Sequence, residues 1–174
     1  MAGLLGWLVK LTRSPPVKTH SIETEVWLPR PLDAVFPFFA DARNLGILTP
    51  PWLKFSVLTP GPIQLKTGAR IDYRLRLHGI PIRWQSEISA WYPPHRFVDE
   101  QRRGPYRCWI HEHTFLEHNG GTLARDRVQY AVLGGSLVNQ LFVARDLKRV
   151  FAFREETLLR IFGAASGEHD VAAR

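Results

Sequence analysis

Two hydrophobic periodicities organise the chain. From His20 to Leu28 (HSIETEVWL), Ile22, Thr24, Val26 and Leu28 alternate with Glu23, Glu25 and Trp27, the period-two pattern of a half-buried strand. Pro29-Arg30-Pro31 stops it. Pro31 and Asp33 suit a first helical turn, and Val35, Phe36, Phe38 and Phe39 make that helix apolar, with Pro37 expected to end or kink it early. A second short helix is predicted over 41–48, before Thr49-Pro50-Pro51. Six strands follow, over 54–59, 69–77, 80–91, 96–102, 106–116 and 122–132. The breaks between them are turn-rich (Pro60-Gly61-Pro62, His78-Gly79, Pro93-Pro94, Gly104-Pro105 and Asn119-Gly120-Gly121), so the strands form an antiparallel meander and not βαβ units.

Alternation assigns the faces. Ile71, Tyr73, Leu75 and Leu77 point one way, and Arg70, Asp72, Arg74 and Arg76 the other. In the next strand Ile82, Trp84, Ile88 and Ala90 oppose Arg83, Gln85 and Glu87. The sheet therefore has an apolar concave side and a wet, arginine-rich convex side. The last periodicity is helical, over 137–162, opened by Gly134-Gly135-Ser136 and closed by Gly163. One stripe of that helix carries Gln140, Val143, Leu147, Val150, Phe151, Arg154, Leu158 and Ile161. Arg154 sits in the middle of the stripe, where a charge requires a partner. Asp126, Glu112, solvent at a cavity mouth, or the carboxylate or phenolate of a ligand would each supply one.

Composition adds bounds. At 174 residues and 45% hydrophobic, the chain is one globular domain with a real core. The single cysteine, Cys108, excludes an intramolecular disulfide and fits a reducing compartment, the cytoplasm. The net charge is +7, with a pI near 10.1. The cations are scattered singly and largely explained by the solvated sheet face, so nucleic-acid binding is not expected. At the N-terminus, Leu4, Trp7, Leu8 and Leu11 share a helical face opposite Gly3, Gly6 and Lys10. That run is far shorter than the roughly 20 residues of a membrane span. It reads as an amphipathic segment over 1–18, packed on protein or lying peripherally on a membrane. Residues 164–174 read as a disordered tail. There is no nucleotide-binding glycine loop, no G-x-S-x-G and no cysteine pair, so no cofactor and no metal are expected.

The candidate chemistry lies in GPYRCWIHEHTF, residues 104–115. On a strand, Arg107, Trp109, His111, His113 and Phe115 share one face. A two-residue turn at Asn119-Gly120 sets His118 opposite Gly121. Counting back, His113 faces Asp126, His111 faces Val128, and Trp109 faces Tyr130. A three-residue turn would dissolve this patch.

The element order, together with GPYRCWIHEHTF, GGTLARDRVQYAV and FAFR, resembles the START-like (Bet v 1-like) ligand-binding superfamily. It is most similar to its bacterial polyketide cyclase/dehydrase-like, or SRPBCC, members. The resemblance covers 19–162 and takes 19–163 as the domain. It implies an α+β helix-grip fold: a curved seven-stranded antiparallel sheet wrapped around a long C-terminal helix, with two short helices after the first strand and a cavity between sheet and helix. It also implies a hydrophobic ligand such as a lipid, quinone or polyketide; a few relatives are cyclases. Fold alone does not choose among these.

Three readings of the patch stay open. His111, His113 and Asp126 could hold zinc, but no further histidine or carboxylate aligns with them. They could form an acid/base pair of a cyclase or dehydratase. They could be a satisfied polar network that orients a ligand's polar end, and this reading is favoured. Tyr73, Trp84, Trp109, His111, His113, Tyr130, Leu147, Phe151 and Arg154 are expected to line the ligand space. The functional expectation is a hydrophobic-ligand binder, with a cofactor-free enzyme and a membrane-associated lipid or quinone carrier as alternatives.

Overall fold

The computed structural model describes residues 18–163. The N-terminal segment with Leu4, Trp7, Leu8 and Leu11 lies outside the described residues, as does 164–174. Strand β1 (His20–Leu28) is followed by helix α1 (Leu32–Phe39) and two 3₁₀ turns (Ala42–Gly46 and Pro51–Leu53). Strands β2 (Ser56–Val57), β3 (Arg70–Leu77), β4 (Ile80–Tyr92), β5 (Arg96–Arg103), β6 (Cys108–His118) and β7 (Gly121–Ala131) come next. The long helix runs as α2 (Gly135–Val138), a π turn (Asn139–Val143) and α3 (Ala144–Phe162). All seven strands form one sheet in the order β1-β7-β6-β5-β4-β3-β2, every pair antiparallel. The meander leaves β1 to close the sheet against β7, with Ile22 opposite Val128 and Leu28 opposite Thr122.

The hydrophobic pattern explains the packing. Val35, Phe36 and Phe39 of α1 bury against Phe97 and Phe115 of the sheet and Leu158 and Phe162 of α3, forming the larger core. A smaller core under the start of α3 holds Val128, Tyr130, Val132, Leu147 and Phe151. Fully burying each such side chain contributes about 1.5–3 kcal/mol. Between the two cores lies Arg154.

Several sequence expectations need correction. Pro37 does not end α1, which runs on to Phe39; in an eight-residue helix the proline removes only the one backbone bond its missing N–H would have made. The second helix shrinks to a 3₁₀ turn, whose cap Asp41 accepts from the Arg43 backbone N–H at 2.9 Å. The strand expected over 54–59 is only Ser56–Val57. Lys54 adopts a left-handed φ of 46° upstream, and Leu58 and Thr59 both donate to the Asp72 carbonyl in a pinched end. Ala90 does not face the concave side. A bulge between Ile88 and Ala90 places Ala90 opposite Val98 and turns Trp91 inward, onto Phe36 and Phe97.

The long helix departs from one continuous wheel. The π turn inserts an extra residue and rotates everything upstream of it. Asn139 is consequently buried and Gln140 exposed, the reverse of the expected stripe. At the other end Phe162 and Thr157 are buried, and Ile161 is 37% exposed. Among the described residues no helix is long and apolar enough to cross a membrane.

Candidate functional site

The hairpin β6–β7 builds the centre of the site. Asn119 and Gly120 take φ of 49° and 74°, both left-handed, as a tight hairpin turn requires. With that turn length His118 pairs with Gly121, His113 with Asp126, His111 with Val128 and Trp109 with Tyr130, the register counted from the sequence. His111 and His113 are 8% and 4% exposed, with ring centroids 3.8 Å apart. Phe97 stacks on His113 at 4.1 Å, and Phe151 meets His111 edge-on at 5.6 Å. Both imidazoles are thereby fixed in place by packing.

Two carboxylates flank the pair. Asp126 Oδ2 accepts from Arg154 Nε at 2.7 Å. Its Oδ1 lies 2.6 Å from His113 Nδ1 and 3.1 Å from His111 Nε2. So the cation in the apolar stripe of α3 has its partner: Arg154, 7% exposed, pairs with Asp126, while Glu112 on the convex face pairs with Arg96. Arg154 also lies over the Phe39 ring at 5.4 Å.

The second carboxylate, Asp99, was missed from the sequence. It lies on β5, opposite His111. Its Oδ2 is 3.2 Å from His113 Nε2 and 3.6 Å from His111 Nδ1, and its Oδ1 accepts from Ser86 Oγ at 3.3 Å. Ser86 Oγ also meets Tyr73 Oη at 2.9 Å and Trp84 Nε1 at 3.2 Å. A continuous polar chain thus runs Tyr73–Ser86–Asp99–His113–Asp126–Arg154. The expectation that no further carboxylate aligns with the histidines is wrong. The available signal was a lone acid two residues after Phe97 on an inward-facing stripe. The four-residue loop joining β5 to β6, over 104–107, carries no turn signature that selects one register, so the signal could not be used.

Electrostatics follow from these contacts. Burial alone would raise the Asp126 pKa, but Arg154, His113 and His111 together hold it well below the usual carboxylate range. Asp99 is likewise lowered against burial, chiefly by His113 and His111. The histidines diverge. Burial and the neighbouring His113 push His111 down, whereas for His113 the two carboxylates outweigh burial and push it up. Burial and the nearby Asp99 charge raise Tyr73 well above an ordinary phenol. It stays a donor.

The network forms part of the wall of a cavity of about 490 Å³ between the sheet and the long helix. Tyr73, Leu75, Trp84 and Trp109 line it from the sheet. Leu147, Val150, Phe151 and Arg154 line it from the helix, with Leu48 and Trp52 from the 3₁₀ region. Asp99, His111 and His113 border the same space. Tyr130 does not line it: its ring is packed into the smaller core among Val128, Leu147 and Phe151. Asp126 stands behind the histidines, away from the cavity. Two links cross between sheet or turn and helix at the cavity border. His78 Nε2 meets Asp146 Oδ2 at 2.6 Å, and the Arg149 guanidinium lies 5.3 Å from the Trp52 ring centre.

No protein-family model and no curated protein matches this chain. Solved structures do. The Zhui aromatase/cyclase from Streptomyces sp. R1128 superposes with a TM-score of 0.67 at 15% identity, over 86% of this chain and 99% of that one. Ara h 8.0201 gives 0.63 at 13% identity, over 85% and 100%. Protein Ms6760 from Mycobacterium smegmatis gives 0.59 at 22% identity, over 84% and 91%. At such identities the likeness establishes architecture, and that architecture is the START-like, Bet v 1-like helix-grip fold: a curved seven-stranded antiparallel sheet closed by a long C-terminal helix.

Proposed function

We propose that this chain binds a hydrophobic or amphipathic small molecule, of lipid, quinone or polyketide class, in the cavity between sheet and helix. One observation carries the reading. A space of about 490 Å³ is walled mostly by apolar and aromatic side chains, among them Tyr73, Leu75, Trp84, Trp109, Leu147 and Phe151, and a small set of polar groups, Asp99, His111, His113 and Arg154 among them, also meets it. That volume falls within the roughly 300–1,000 Å³ of small-molecule sites, and a mostly apolar wall with few polar groups is their usual make-up. The ligand's apolar body packs on the aromatic wall, and its polar end faces His111, His113, Asp99 and the edge of Arg154. A cytoplasmic location belongs to this reading, and the lone Cys108, which can form no intramolecular disulfide, is compatible with it.

The test is native mass spectrometry of the purified chain, followed by extraction and identification of what copurifies. A stoichiometric organic molecule is expected. An empty protein with no thermal shift across a panel of lipids, quinones and polyphenols would overturn the reading.

A second reading has its own observation in support. Each histidine has one ring nitrogen held by Asp126 and the other directed to the Asp99 side, at the cavity. In a cyclase or dehydratase such a ring moves a proton on a substrate folded by the apolar wall. One structural neighbour is named an aromatase/cyclase. The two readings separate on His113→Ala. A binder loses affinity modestly, whereas an enzyme loses turnover and keeps binding.

A further inference from the structure

We propose that Asp99, His111 and His113 form a binding site for one divalent transition-metal ion of zinc type, with an open coordination position facing the cavity. The proposal goes beyond ligand binding and does not depend on it. Asp99, His111 and His113 each offer one ligand atom, and these atoms lie within 4.8 Å of one another. From Asp99 Oδ2, His111 Nδ1 and His113 Nε2 are 3.6 and 3.2 Å away. Ligand atoms about 2.0–2.2 Å from a tetrahedral ion stand roughly 3.3–3.6 Å from each other, so these two separations already have the size of a coordination edge.

The other side of each ring supplies a second argument. Metal-bound histidines characteristically give their remaining N–H to a carboxylate, which fixes the tautomer and the ring plane. Here one carboxylate does this for both rings: Asp126 Oδ1 is 3.1 Å from His111 Nε2 and 2.6 Å from His113 Nδ1. Protons held there leave the lone pairs on His111 Nδ1 and His113 Nε2, the two atoms that face Asp99. Asp126 is itself anchored by Arg154 Nε at 2.7 Å and lies off the cavity. It is the orienting group, and Asp99 is the ligand. The free oxygen of Asp99 is steadied by Ser86 Oγ at 3.3 Å.

Geometry and donor type point to the same class of ion. All three ligand residues sit on adjacent strands β5 and β6, and two aromatic rings, Phe97 and Phe151, pack against the imidazoles. Three protein ligands with a fourth position open to a cavity is the arrangement of a zinc site that binds a water or substrate oxygen. Two imidazoles and one carboxylate suit zinc and its first-row neighbours. Calcium and magnesium require six or more oxygens and are disfavoured.

The experiment uses the full chain, freed of metal with EDTA and titrated with zinc chloride by calorimetry and with cobalt(II) chloride by visible absorption. One saturable equivalent is expected, together with a rise in thermal midpoint and the visible bands of four- or five-coordinate cobalt. Asp99→Asn and His111→Gln should each weaken zinc by at least about tenfold. His95→Gln, an exposed histidine on the β4–β5 turn, should leave it unchanged. No saturable binding, or binding undiminished by Asp99→Asn, overturns the proposal. Should both variants fail to fold, nitrogen-15 NMR of the wild-type rings decides. One equivalent of zinc must shift His111 Nδ1 and His113 Nε2; shifts confined to other histidines overturn the site.

Discussion

Substituting Arg154 by methionine removes the guanidinium and keeps most of the aliphatic stem. The structure sets the size of the effect. Arg154 is 7% exposed and Asp126 receives its Nε at 2.7 Å, so solvent screens little of the interaction. Leaving one member of a buried pair without the other costs about 3–5 kcal/mol. His113 stays 2.6 Å from the same carboxylate and offsets part of this, so a loss of about 3 kcal/mol at neutral pH is expected. For a chain of this size that lowers the thermal midpoint by roughly 6–12 °C. Urea unfolding of wild type, Arg154→Met, Asp126→Asn and the double variant forms the assay. The double variant should lose less than the sum of the singles, by at least about 1.5 kcal/mol. Arg125→Met, which breaks the exposed pair with Glu25, should cost under about 1 kcal/mol. A loss below about 1 kcal/mol for Arg154→Met, or additivity of the cycle within about 0.5 kcal/mol, would refute the coupling argued here.

Four further outcomes are expected. Leu147→Trp, pointing bulk into the cavity from the helix, should abolish copurification of any small molecule while circular dichroism stays native; retained ligand would place binding elsewhere. In EDTA-treated protein, NMR titration should find His113 protonating above the ordinary histidine value of about 6.5 and His111 below it, and the reverse order would contradict the network. Asp126 and Asp99 have lowered folded pKa values, so the unfolded chain binds more protons in acid. Stability should therefore decline from about pH 5 downward, and a flat acid limb in urea midpoints would count against it. Gly121→Ala should destabilise by about 1–3 kcal/mol, because a Cβ there would lie 2.4 Å from the Leu28 carbonyl; unchanged urea midpoints would argue against that close approach.

What the sequence discloses follows from what is local. Asn119-Gly120 fixes a register over eleven residue pairs, so the juxtaposition of His113 with Asp126 could be counted residue by residue. Arg154 announced a buried partner because a charge interrupts an otherwise apolar stripe. Alternation in β3 gave both faces of that strand. The failures that moved a side chain to another face or hid a site residue are phase shifts or long-range registers. One bulge reversed Ala90, and one π turn exchanged Gln140 for Asn139. Asp99 depends on how β5 slides against β6, which nothing within either strand determines. Whether Tyr130 lines a cavity or fills a core depends on the packing of Leu147 and Phe151 above it.

Exposed hairpin tips are ordinarily where related chains gain and lose residues freely. The tip at Asn119-Gly120 has no such latitude. One inserted residue, unless trapped as a bulge, slides β7 past β6 by one position and turns Asp126 away from the histidines. An arginine, Arg125 or Arg127, would then stand opposite His113. Drift at this tip should therefore change its residues while conserving its length. Among distant homologues, an invariant count between the second histidine and the aspartate would mark the ones that keep this site.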